Sequence, residues 1–118
     1  MRFFIATIIC LTSLSTMAGE ADVVSAEAKK SSDGTYKFFV TVAHADEGWD
    51  HYANKWEVVL PDGTVLATRV LAHPHVDEQP FTRSKSGVKI PDGTPYVILR
   101  AGDSVHELGG KEVKLSLN

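Results

Sequence analysis

The stretch TYKFFVTVA, Thr35 to Ala43, decides the fold class. Its apolar residues alternate, so a period of two places Tyr36, Phe38, Val40 and Val42 on one face and Lys37, Phe39 and Thr41 on the other. That is a strand with one face in a core. Just upstream, Ser31-Ser32-Asp33-Gly34 has hairpin-turn chemistry, and Asp22 to Lys29 before it reads as the strand it joins. Downstream the pattern repeats. Lys55 to Leu60 is a third strand with Trp56, Val58 and Leu60 on one side, and Pro61-Asp62-Gly63 turns it into a fourth, Thr64 to Leu71. A fifth runs from Phe81 to Ile90, with a bulge or edge position expected at Ser84-Lys85-Ser86-Gly87. Pro91-Asp92-Gly93 leads to a sixth, Pro95 to Ala101, and Lys111 to Leu117 is the last, with Val113, Leu115 and Leu117 inward. No segment sustains a helical period, and short alternating runs between turn signals predict an all-β sandwich or barrel.

A chain of 118 residues bounds this to one domain, expected over residues 19–118. Residues 1–18 read differently. Arg2, the apolar run Phe3 to Leu11 and the small residues Thr16 and Ala18 describe a secretory signal peptide cut after Ala18. The run is too short to span a bilayer. Cleavage there removes Cys10, Met1 and Met17, which are all of the chain's cysteine and methionine. It also removes Arg2, making the net charge of −3 one unit more negative. The expected product is a small periplasmic or secreted protein without disulfides, held by its core alone. Its acidic balance argues against nucleic acid and anionic membrane as partners.

About seven strands at this spacing, with Trp56 on the third and the run Ile90-Pro91-Asp92-Gly93-Thr94-Pro95-Tyr96 before the sixth, resemble the fibronectin type III branch of immunoglobulin-like antiparallel sandwiches. The resemblance implies that Trp56 fills the core and that Tyr96 opens the sixth strand as a tyrosine corner. Arg100, on the same face as Tyr96, departs from the family's apolar pattern. Fold resemblance implies no single function, since the sandwich serves many.

If successive strands reverse, alternate connections share an end. The three tight turns fall at one end, without a histidine. The other end collects His44 to Asn54, Ala72 to Pro80 and Gly102 to Gly110, and so all five histidines. In LAHPHVDEQPF, Leu71 to Phe81, Pro74 favours an extended His73, and residues i and i+2 of an extended segment point the same way. His73 and His75 are therefore expected to reach one Cu(II) or Zn(II) ion, with His51 or His106 as a further ligand. Asp50, Asp77, Glu78 and Asp103 are candidates to orient the imidazoles. His44 abuts a strand end and is assigned a hydrogen-bonded structural role. Phe81 is expected in the core, with Arg83 pairing with Glu78 or Asp77. Trp49 and Tyr52 flank His51, as an aromatic recognition rim or, for Trp49, as a lid over the open end.

These residues support an exported module that binds a metal ion for storage, delivery or resistance. A protein- or carbohydrate-interaction module without metal is the alternative. A metal-dependent enzyme is a third reading. Superoxide reductases, with a similar fold, bind iron through histidines and one cysteine, which the mature chain lacks. Small exported copper carriers are similar in architecture and commonly join the free terminal amine to a histidine. The expected start Gly19-Glu20-Ala21 has no histidine at its first or third position.

Overall fold

The structure, a computed structural model, describes residues 19–117. The expected signal peptide and Cys10 lie outside the described residues. Eight strands make up the fold: β1 (Asp22–Lys30), β2 (Tyr36–Ala43), β3 (Ala53–Val59), β4 (Val65–Val70), β5 (Phe81–Val88), β6 (Tyr96–Asp103), β7 (Glu107–Leu108) and β8 (Val113–Ser116). There is no helix among the described residues, and none long and apolar enough to cross a membrane. The strands form two antiparallel sheets. One has the order β1-β2-β5. In the other, β4-β3-β6 continues into both β7 and β8, which pair with different stretches of β6.

The core lies between the sheets, built by the period-two faces. Phe38, Val40 and Val42 of β2, Trp56 and Val58 of β3, and Val97 and Leu99 of β6 are fully buried in one cluster. Burying side chains of this size is worth roughly 1.5–3 kcal/mol each, and Trp56 is the largest of them. Val113, Leu115 and Leu117 pack partly buried against the same cluster. The irregularity expected in β5 is present: the β2–β5 register slips opposite Lys85 to Val88, where Gly87 has φ +70°.

The phase of β6 follows its apolar residues. Val97, Leu99 and Ala101 face the core, so Tyr96 shares the outer, half-buried face with Ile98 and Arg100. The Lys114 ammonium lies 4.2 Å from the Tyr96 ring centroid, and Arg100 Nε donates to Glu57 Oε1 at 2.8 Å. The opposite phase would bury the Arg100 guanidinium among apolar side chains, at a cost that no partner there offsets.

The turns around Ser31, Pro61 and Pro91 close one end of the molecule. A groove of about 360 Å³ opens there between Lys30, Tyr36, Ile90 and Leu117, and no histidine lines it. The long loops meet at the opposite end. Ser104 N donates to Tyr52 O at 2.9 Å, Val23 N to Lys111 O at 2.9 Å, and His75 N to Asp46 Oδ2 at 2.7 Å.

Candidate metal centre

Three strand ends define the site. β2 delivers His44, the loop into β3 carries Asp46 and His51, and β6 ends in Asp103. Antiparallel pairing brings them together, and ligand atoms of His44, His51 and Asp103 all lie within 4.8 Å of one another. His44 Nε2 is 3.2 Å from His51 Nε2 and 3.9 Å from Asp103 Oδ2, and His51 Nε2 is 3.2 Å from Asp103 Oδ1. The two rings meet edge to face, at 71°. All three residues are buried.

The placement of protons follows from the partners. A carboxylate only accepts, so His44 Nδ1 donates to Asp46 Oδ1 at 2.6 Å and His51 Nδ1 donates to Glu47 Oε1 at 3.0 Å. In neutral imidazoles both Nε2 atoms then carry bare lone pairs, aimed at each other and at Asp103. Gly19 O, another acceptor, lies 3.0 Å from His44 Nε2. Asp103 Oδ2 is buried without a hydrogen-bond partner. Acceptors thus converge from four residues. A single proton on His44 Nε2 has two takers, Gly19 O and His51 Nε2, and still leaves Asp103 Oδ2 without a donor. A cation serves them all. The spacing suits one: donors about 2.0–2.1 Å from a tetrahedral ion stand about 3.3–3.4 Å apart.

The surroundings hold these groups in place. Asp46 also accepts from Ala53 N at 3.0 Å and from His75 N at 2.7 Å, tying the Leu71–Phe81 loop to the base of the site. Asp103 Oδ1 accepts from the amides of Val105 at 2.9 Å and His106 at 2.7 Å, and from His106 Nδ1 at 3.1 Å. Burial raises the Asp103 pKa, but the amides of His106 and Val105, with the His106 ring, outweigh it and hold the carboxyl below the usual carboxylate range. Asp103 is therefore an anion at neutral pH, as a ligand must be.

The sequence-chosen residues are distributed unevenly. His51 stands in the centre. His106 stands beside it, its ring 5.0 Å from His51 and bonded to Asp103. Asp103, expected to orient a ligand, is itself one of the three clustered residues. His44, assigned only a structural role, has both: a carboxylate on Nδ1 and the site on Nε2. Asp46 and Glu47 hold the imidazoles, while Asp50, Asp77 and Glu78 are exposed.

His73 and His75 do not belong to the clustered group. Their rings lie 4.6 Å apart, as the i, i+2 spacing predicts. His75 is turned the other way: it stacks on Phe81 at 3.9 Å and its Nε2 accepts from Arg83 Nη2 at 3.0 Å. Arg83 also pairs with Glu78 at 3.3 Å, and Phe81 is buried, both as expected. Trp49 is no lid. It is 66 % exposed and packs edge-on against Tyr52 at 5.5 Å, forming a rim beside His51.

The packing of His75 has a consequence for pH. Burial lowers its pKa first, and the Arg83 cation and His73 add to this, against weaker opposing pulls from Asp46 and Glu78. The folded protein then binds fewer protons than the unfolded chain below about pH 6.5, and stability falls as pH drops through the folded value of His75. His75→Gln keeps an acceptor for Arg83 and removes the titration. Urea unfolding between about pH 5 and 7 is expected to show a flatter stability profile in this variant than in the wild type. Equal slopes would mean that His75 titrates alike in both states.

The chain is similar to a protein of Halomicrobium mukohataei named "Putative lipoprotein", with 38 % identity over 92 residues. The match covers 78 % of this chain but 45 % of that protein, so the chain spans less than half of its relative's length. No protein-family model and no solved structure matches the chain.

Proposed function

We propose that the protein is an exported module that binds one divalent transition-metal ion, Zn(II) or Cu(II), through His44, His51 and Asp103, for storage, delivery or resistance. The convergence of buried acceptors without a donor between them carries this reading. Each imidazole is oriented by a carboxylate on its far nitrogen, the arrangement that fixes the tautomer of metal-binding histidines. Imidazole and carboxylate suit Zn(II) and Cu(II), and Cu(I) is disfavoured because residues 19–118 contain neither cysteine nor methionine. The leader-like residues 1–18 and the lipoprotein name of the relative support the cell envelope as its place. The strand orders β1-β2-β5 and β4-β3-β6-β8, with Trp56 buried on the third strand, support an immunoglobulin-like sandwich as the carrier.

Isothermal titration of chelator-stripped protein with Zn(II) and Cu(II) tests the reading. One ion per chain is expected, lost in His44→Ala/His51→Ala and kept in His73→Ala/His75→Ala. The reverse pattern would move the site to the Leu71–Phe81 loop. No binding below about 10 μM would end the metal reading. The interaction reading would then stand on Trp49, Val76 and Val105, which are large, apolar and exposed in the long loops.

A further inference from the structure

We infer that the main-chain carbonyl of Gly19 is the fourth ligand of this centre, so that the segment entering β1 straps over the ion and closes its coordination shell. The inference rests on the metal reading above and adds to it the ligand, and with it the type of site. Gly19 O lies 3.0 Å from His44 Nε2, slightly closer than the other donor separations of 3.2 to 3.9 Å. In a neutral His44 that donates from Nδ1 to Asp46, these two atoms are lone pairs face to face. Such a contact is repulsive unless something positive lies between them.

The segment after Gly19 is fixed from outside the site. Ala21 is fully buried in the core, Val23 N donates to Lys111 O at 2.9 Å, and Asp22 Oδ1 accepts from Lys111 N at 2.8 Å. Gly110 packs directly on the Ala21 carbonyl. The chain is thus anchored from Ala21 onward, two residues beyond the Gly19 carbonyl. That carbonyl is present whether or not the chain is cut after Ala18. Two imidazoles, a carboxylate and a carbonyl make four protein donors. A centre with three protein ligands keeps a place for water and reaction, whereas one with four is closed. The strap therefore assigns this centre to holding an ion rather than to hydrolysis.

Gly19-Glu20 is the only Gly-Glu pair in the sequence. Protein labelled with carbonyl-¹³C glycine and ¹⁵N glutamate gives a single amide–carbonyl correlation, from that peptide bond. Titration with Zn(II) is expected to move the carbonyl frequency downfield, saturating at one equivalent, and to leave it unmoved in His51→Ala. A carbonyl that stays in place or moves upfield, while the His44 and His51 ring signals respond to Zn(II), would overturn the strap and leave the three-residue site standing. Ring signals that do not respond either would refute the metal reading itself, and the strap with it.

Discussion

Asp103→Asn is expected to abolish tight Zn(II) binding with little loss of stability. Asp103 is 1 % exposed, and its two oxygens have different work. Oδ1 anchors the turn into β7 through the amides of Val105 and His106. An asparagine carbonyl accepts the same two bonds, so the turn persists. Oδ2 has no donor and lies 3.9 Å from His44 Nε2. Asparagine replaces it with an amino group and removes the negative charge that offsets a divalent ion. Losing a group that merely orients a ligand costs roughly 10–100-fold in metal affinity, and losing the anionic ligand is expected to cost more. Asp103→Ala provides the contrast. It leaves two part-buried amides without their acceptor and is expected to lose about 1–3 kcal/mol of stability as well as the metal. Zn(II) titration and urea unfolding of both variants check this. Wild-type affinity in Asp103→Asn would remove Asp103 from the ligand set, and equal stability in the two variants would mean that Oδ1 does not hold the turn.

The strands were legible because the period of two is a local property. TYKFFVTVA could be assigned a core face from its own residues, and so could the segment around Trp56. β6 was harder. Tyr96 to Arg100 and Val97 to Ala101 are both partly apolar, and the choice between them rests on Glu57, a residue on another strand that takes up Arg100. The pole bearing the histidines also followed from topology, because alternate loops of reversing strands share an end.

The grouping of His44 with His51 and Asp103 did not follow, and the reason is physical. His73-Pro74-His75 draws attention because its residues are neighbours in sequence, yet ligands converge by register rather than by proximity along the chain. His44 follows β2, Asp103 ends β6, and His51 precedes β3. Once the strands are placed, these are the residues that meet. A signal for His44 was available in His44-Ala45-Asp46, where a carboxylate two residues on can reach Nδ1 and free Nε2 for another task. The partner of the His75 ring, Arg83, lies within the same hairpin-like region, but whether its guanidinium turns to the ring or to solvent is settled by Phe81 packing beneath both. No sequence pattern marked Gly19, whose contribution is a backbone atom.

Gly110→Ala is expected to be the most destabilising single-methyl addition among the glycines. A Cβ at position 110 would stand 2.0 Å from the Ala21 carbonyl oxygen, 2.7 Å from its carbon and 2.7 Å from Asp22 Oδ1. The first two are backbone atoms and cannot swing aside. Ala21 is fully buried, so the start of β1 cannot retreat into the core, and the bonds from Val23 to Lys111 and from Lys111 to Asp22 pin it on both sides. The strain must be relieved by lifting residues 19–22 off the sheet end, with loss of both bonds and of the Ala21 contact. Overpacking with backbone displacement costs about 3 kcal/mol or more, which lowers the Tm of a domain this size by roughly 12–24 °C. Gly93→Ala is the control. It has φ +82° and open space around it, so it carries only the left-handed backbone penalty of roughly 1–2 kcal/mol. Thermal unfolding of the two variants separates steric exclusion from backbone strain, and equal shifts would mean that the entry to β1 is not pinned as described. The same displacement carries Gly19 away from His44. Gly110→Ala, which touches none of the proposed ligands, is therefore also expected to weaken Zn(II) binding at temperatures where it is still folded, while Gly93→Ala leaves the affinity unchanged.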